Sequence, residues 1–269
     1  MTRASSSPAV SPGTGFQDDA GRVSDLEVVT ALIGREIKMR FGEEWFGFAA
    51  GYIAPLVWIT AVYLAFAFFG RASPVYTDVV TFIISGLIPY AAFRYTVNAM
   101  GRARGLVRTL LIYPTVRRWH AMAATGAVEL FNTFAIVAIV MGLNWAIFGN
   151  GEMAHPLDYA WGIVLSWMLG AGFGFTFVFL AEIRQIWWVV GQSLLRPSFF
   201  ISAVFFTGNE LPERLVKLLD WNPLLHAVEI TRTAMLVHYE SRIASESYLI
   251  LCIAGLFAAG LAIRQLVRG

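Results

Sequence analysis

The chain has 269 residues, 57% of them hydrophobic and 14% charged, with a formal net charge of +2 and a mean hydropathy of +0.63. A soluble domain is roughly a quarter charged, so this composition excludes a fold covered by water-facing side chains and points to an all-α integral membrane protein. The one cysteine, Cys252, excludes an internal disulfide or a thiolate cluster, and no G-x-x-x-x-G-K-[ST] loop is present with which the chain could hydrolyse ATP itself.

Residues 1–24 are rich in Ser, Pro, Gly and charge and lack the apolar core of a signal peptide, so a disordered cytoplasmic tail is expected there. An amphipathic interface helix is expected over 25–42. Ser24 and Glu27 have the spacing of a capping box, in which each side chain satisfies an orphan backbone donor. Val29, Ile33, Ile37 and Phe41 recur every four residues as an apolar stripe, with Arg35 and Lys38 off it. Such a helix lies in the cytoplasmic interface with its cations toward anionic lipid headgroups. It is either a passive anchor or a docking element for a cytoplasmic partner.

A helix needs about 20 apolar residues to cross the hydrocarbon core. Six stretches within 47–263 qualify: 47–69, 79–97, 122–148, 159–181, 186–206 and 248–263. Six crossings put both termini, including the short segment 264–269, on one side. Cytoplasmic segments carry the excess of Lys and Arg, and the greater part of the 20 such residues falls on the side of the termini. The orientation that follows is N-in, C-in.

The loop 98–118 is the most basic part of the chain, with Arg102, Arg104, Arg108, Arg117 and Arg118. A positive-inside signal explains these arginines but not Leu106, Val107, Leu110, Leu111 and Ile112 among them. A short helix presenting both would suit a groove on a partner protein. Further on, Gly170 and Gly174 lie four apart in an apolar run, where small residues allow close helix packing.

Ionisable side chains inside spans are costly unless paired or wetted. Glu129 lies in the third span with Asn132 three residues on, and Arg196 precedes Pro197 in the fifth. They line a polar path, or Glu129 bonds Arg94 or Arg196 and locks helices together. Arg94 falls near the cytoplasmic end of the second span, from which it can snorkel.

The segment 207–240, between the fifth and sixth spans, is too long for a turn and too apolar for a free loop. It reads as two short helices, with Asn222 as N-cap and Pro223 at the first position of the second. His226, Glu229 and Arg232 follow on one face of that helix. No third metal ligand is near and Arg232 would repel a cation, so no metal is expected, and the polar face is assigned to ion pairs and hydrogen bonds. Irregular backbone at membrane depth is tolerated only where buried or lining a cavity. A re-entrant helical hairpin here would cap a path from outside; a surface hairpin without gating is the alternative.

Several stretches are similar to the membrane subunit of type-2 ABC exporters, within them most to the permease that exports group 2 capsular polysaccharide. The residues that carry this are FGEEWFGFAAGYIAPL, SGLIPYAAFRYTVNAMGRA, LIYPTVRRWHAMAATGAVELF and the block LPERLVKLLDWNPLLHAVEITRTAM. The resemblance covers about residues 33–264. It implies a homodimer of six-span subunits in the bacterial inner membrane, each bound to a separate ATPase that holds ATP and Mg, so no cofactor is expected on this chain. Arg35 and Lys38 of the interface helix, with the arginines of 98–118, would dock that ATPase, and 207–240 would be a periplasmic gate. The substrate implied is a lipid-linked acidic polysaccharide, handed to a periplasmic adaptor of the polysaccharide co-polymerase type; no nucleic acid is involved. The resemblance places a cation at Arg196, suited to an acidic glycan, and Trp58, Tyr63 and Tyr90 would offer ring faces for sugars along the path. A type-2 permease for O-antigen, teichoic acid or a small drug would share the fold and docking loop.

Overall fold

The computed structural model describes residues 24–41, 45–110, 116–149 and 153–268. Among these residues the structure is entirely helical: α1 (Asp25–Phe41), α2 (Trp45–Phe68), α3 (Val79–Leu110), α4 (Arg118–Phe148), α5 (Pro156–Ile183), α6 (Ile186–Ile201), a 3-10 turn (Gly208–Glu210), α7 (Glu213–Leu219), α8 (Pro223–Met235) and α9 (Glu246–Arg268). Four stretches are long and apolar enough to cross a membrane: Val79–Gly105, Arg118–Phe148, Pro156–Ile183 and Glu246–Val267. Tyr52–Phe68 of α2 is a shorter apolar helix. The expected tail, apart from Ser24, lies outside the described residues, as does Gly269.

α1 starts where the Ser24–Glu27 spacing places it. The Ser24 N–H donates to Glu27 Oε2 at 2.8 Å and the Glu27 N–H donates to Ser24 Oγ at 3.2 Å. The apolar stripe is turned from the expected one: Val28 and Glu36 are buried, whereas Ile37 is 42% exposed. α1 packs on α4 and α2, and that packing, rather than the four-residue repeat, selects its inner face. The Phe41 side chain lies outside the described residues.

α5 forms the centre, packed against α3, α8 and α9, with α4 and α8 also on α3. α3 and α5 approach closely. A Cβ on Gly170 would lie 2.5 Å from the Phe93 carbonyl oxygen, and one on Gly174 would lie 2.7 Å from the Met100 side chain. The small-residue spacing therefore does what it does in packed membrane helices. The apolar window of α3 is 72% buried and that of α9 only 11%, so α3 is an interior helix and α9 a peripheral one.

Two elements differ from their sequence-based expectation. α3 runs without a break to Leu110 instead of giving way to a separate short helix in the basic loop. Ala99, Met100 and Ala103 are buried, and Gly101 sits under Trp188, whose ring a Cβ would meet at 2.2 Å; this packing holds the helix together beyond residue 97, the expected end of the span. Residues 111–115 and the Arg108 side chain lie outside the described residues. α6 ends at Ile201 rather than near 206. Its 16 residues give roughly 24 Å at 1.5 Å per residue, against about 30 Å of hydrocarbon. The helix stops because Ala203 takes a left-handed φ of 57°, which is disfavoured for a residue with a Cβ. The carbonyls of Ala203 and Phe206 then turn to Arg232.

Candidate functional site

α8 is built to hold a charge inside protein. Asn222 Oδ1 accepts from the Leu224 N–H at 3.1 Å, which starts the helix. Pro223, with no N–H to satisfy, occupies the first turn. The Asn222 amide nitrogen donates to Ile201 O at 3.1 Å and Ser202 Oγ at 3.2 Å, tying the start of α8 to the end of α6.

Arg232, one face further along, is fully buried. Its Nη1 donates to Glu229 Oε1 at 2.8 Å and Phe206 O at 2.9 Å, its Nη2 to Ala203 O at 2.7 Å, and its Nε to Ser85 Oγ of α3 at 3.2 Å. The guanidinium carbon lies 4.6 Å from the centre of the Phe82 ring. Glu229, equally buried, accepts at Oε2 from the Tyr239 hydroxyl and from Ser241 Oγ, the latter at 2.6 Å. Burial, and after it the Glu229 charge, pushes the Tyr239 phenol well above its ordinary range. A buried ion pair is tolerated when its remaining donors and lone pairs are met, and here nearly all are.

His226 faces a different neighbour. Its Nδ1 accepts from the Ser245 N–H at 3.2 Å, so Nε2 carries the proton and donates to Asp220 O at 2.6 Å. The ring therefore bridges the end of α7 to the start of α9 and stands apart from the Glu229–Arg232 pair. Among the described residues no three His, Cys, Asp or Glu side chains are grouped to hold a metal.

At the opposite end of the bundle, basic side chains tie helices together. Arg102 Nη2 meets Glu129 Oε2 at 3.5 Å, and Asn132 Nδ2 meets Glu129 Oε1 at 3.5 Å. Among the described residues the arginine that meets this carboxylate is thus Arg102, not Arg94 or Arg196, because the unbroken α3 lays residue 102 beside α4. Arg104 Nη2 donates to Ala181 O at 3.0 Å and Arg118 pairs with Glu182, both at the end of α5. The Arg117 N–H donates to His120 Nδ1 at 3.1 Å, and His120 Nε2 donates to Asp25 Oδ1 at 3.1 Å. Arg35 and Lys38 lie on α1, half-buried and exposed.

A third locus lies between α2 and α3. The guanidinium of Arg94 stands 5.3 Å from the centre of the Trp58 ring. Arg94 lies midway along α3, which continues to Leu110. Tyr90 lines the same cleft and donates its hydroxyl to Leu195 O at 2.9 Å. Tyr63 is exposed on α2. Arg196 is exposed on α6. The expected site residues therefore fall in three groups, with Arg196 and Tyr63 outside all of them. Tyr239, Ser241, Ser85 and His120 were not singled out from the sequence; only the buried charges they serve could have prompted a search for them.

A bundle of long apolar helices around a central α5, with a buried ionic helix between its last two long helices and a basic end opposite, defines a polytopic membrane protein without a catalytic constellation among the described residues. Residues 27–236 match the ABC-2 type transporter family, and the chain belongs to that family. It is 27% identical over 225 residues to the polysialic acid transport protein KpsM of Escherichia coli, covering 82% of this chain and 86% of that protein. It is 25% identical over 247 residues to the capsule polysaccharide export inner-membrane protein CtrC of Neisseria meningitidis, covering 88% and 89%. To the capsule polysaccharide export inner-membrane protein BexB of Haemophilus influenzae it is 26% identical over 217 residues, covering 76% and 77%.

Proposed function

We propose that this chain is the permease subunit of an ATP-driven exporter that carries lipid-linked acidic capsular polysaccharide across the bacterial inner membrane. The observation that carries the reading is its likeness, over at least 76% of its length, to capsule and polysialic acid export proteins of three organisms. Two copies form a homodimer, each crossing six times with both termini cytoplasmic. α2 and α6 supply the two crossings beyond the four long helices, and exposed Ile53, Val57, Val190 and Phe200 suit them to face lipid or a second copy.

A separate ATPase binds ATP and Mg and docks on α1 and the basic end around 98–118. Its movement biases the dimer between closed and open arrangements. The hairpin 207–240, with Asn222, Pro223, His226, Glu229 and Arg232, acts as the outer gate, and a periplasmic adaptor receives the polymer. Arg94, Glu129, Asn132, Arg196, Trp58, Tyr63 and Tyr90 line or brace the path. No bond is made or broken by this chain.

The test is surface capsule on cells lacking the gene, with the cytoplasmic pool of finished polymer measured in parallel. Loss of surface capsule with polymer accumulating inside, restored by the wild-type gene, is the expected result. Normal surface capsule in the deletion strain would overturn the reading.

A further inference from the structure

α6 stops at Ile201, but nothing in the local sequence stops it there. Ser202 to Thr207 reads SAVFFT, without glycine or proline, and the first breakers beyond it are Gly208 and Pro212. Ser202, Ala203 and Val204 are fully buried, yet the N–H groups of Ala203, Val204, Phe205 and Phe206 reach no main-chain carbonyl of the described residues in hydrogen-bond geometry. Idle main-chain donors are costly at membrane depth, and Ala203 adds the strain of a left-handed φ of 57°. A helical continuation removes both, because the four N–H groups then donate to the carbonyls of Phe199, Phe200, Ile201 and Ser202. Carried to Phe206, α6 measures about 31 Å at 1.5 Å per residue, which matches a hydrocarbon core of about 30 Å.

The unwound form is held from other elements. Arg232 of α8 donates from Nη2 to Ala203 O at 2.7 Å and from Nη1 to Phe206 O at 2.9 Å. The Asn222 amide nitrogen donates to Ile201 O at 3.1 Å, the carbonyl that a helical Phe205 N–H needs, and to Ser202 Oγ at 3.2 Å. Gly86 of α3 leaves space for the Val204 main chain, which a Cβ there would meet at 3.2 Å. Strain and idle donors within the segment thus stand against hydrogen bonds supplied from outside it, the balance that makes two packings of one sequence close in free energy.

We propose that residues 202–206 are a conformational switch, unwound with Arg232 as the latch or wound onto the end of α6. Winding releases Ala203 O and Phe206 O from Arg232, which keeps Glu229 Oε1 and Ser85 Oγ as partners. It also sets the start of 207–240 about 7.5 Å beyond Ile201 along the α6 axis, at 1.5 Å per residue. The role of the switch in opening rests on the proposed gating by 207–240; its existence does not.

The test is magnetic resonance on the full chain in lipid discs, isotope-labelled at the serine carbonyl and throughout alanine. Ser202–Ala203 is the one Ser–Ala step in the chain, so a signal filtered through that peptide bond reports Ala203 alone, and its Cα shift separates left-handed from helical backbone. In short-chain lipid the wild type is expected to give the left-handed signal. Longer acyl chains favour the longer helix and are expected to raise a helical signal to about 10% or more, the range of a populated minor state. Arg232→Lys keeps a cation beside Glu229 but cannot fork onto both carbonyls. It is expected to raise the helical-to-left-handed ratio about 5-fold, the scale of one net hydrogen bond. Asn222→Asp keeps the oxygen that starts α8 and loses the amide donor; it acts in the same direction and decides the matter should Arg232→Lys fail to fold. A left-handed signal alone in wild type in long-chain lipid, or a ratio unchanged in a folded variant, overturns the switch. Ala203→Gly removes the left-handed penalty and favours the latched form, so it is expected to restore about 5-fold less surface capsule to the deletion strain, the scale of that penalty. Full capsule with Ala203→Gly overturns the link to gating and leaves the switch, whereas normal capsule in the deletion strain sinks the export reading and leaves the resonance result standing.

Discussion

Gly86 of α3 and Arg232 of α8 touch so closely that a Cβ on Gly86 would lie 2.6 Å from Arg232 Nη2 and 3.2 Å from both Cα and O of Val204. The guanidinium has no room to retreat, since Phe82 lies under it and two carbonyls hold its nitrogens. Gly86→Ala therefore forces either α8 or the Val204 backbone outward. A loss of about 1–3 kcal/mol is expected, as for other overpacked cores. It is read as a lowered unfolding midpoint in detergent; an unchanged midpoint would mean that the contact is loose.

Glu229 and Arg232 are expected to behave as a unit. Removing one partner of a buried pair leaves the other charge stranded, at about 3–5 kcal/mol, so Glu229→Gln and Arg232→Met should each be severely destabilising. The double variant should lose clearly less than the sum of the singles. Additive losses in a double-mutant cycle would show that the two charges do not depend on each other.

Alkaline titration should expose Tyr239. Its folded-state pKa is raised, first by burial and next by Glu229, so the neutral phenol contributes stability that is complete below about pH 10, the ordinary tyrosine value. That contribution is lost as pH rises past 10 toward the raised folded value, because the unfolded chain gives up the proton first. Tyr239→Phe should be less stable at pH 8, where a hydrogen bond to a charge worth about 1.5–3 kcal/mol is missing. It should also decline less steeply between pH 9 and 11. Parallel curves for the two proteins would remove Tyr239 from the pH dependence.

Replacing Arg108, Arg117 and Arg118 together with Ala should reduce co-purification of the partner ATPase, or its coupling, while membrane insertion stays intact. Of the ties described, only Arg118–Glu182 is lost through a side chain, and Arg118 there is 44% exposed; such pairs are worth about 0–1 kcal/mol. A nearly unchanged melting midpoint with a lost partner is the expected combination. Full coupling in the triple variant would take these arginines out of the docking surface.

Much of the helical framework can be read in the chain because long apolar runs and the Asn222–Pro223 start are local signals. Ser24 with Glu27, and Gly170 with Gly174, act at the positions their spacing gives them. The partner of Glu129 could not be read, because it depends on α3 continuing past residue 97, and that continuation is set by Gly101 lying under Trp188. Nor could the end of α6, where Ala203 turns left-handed and the carbonyls of Ala203 and Phe206 go to Arg232, a long-range arrangement that leaves no trace in side-chain pattern. Arg232 itself was visible as a charge in an apolar helix, but its partners Ser85, Tyr239 and Ser241 come from segments far apart in sequence.

One side chain, Asn222, closes two helices at once: its oxygen receives the first free N–H of α8, and its nitrogen occupies the final carbonyl of α6. Fraying of either end therefore releases the other, and the last turn of α6 and the first turn of α8 open as a single cooperative unit. The amide proton of Leu224, bonded only through that oxygen, becomes a reporter for the far side of the junction. A disturbance that begins in the fifth apolar stretch thus reaches the buried ionic helix without passing through the loop between them.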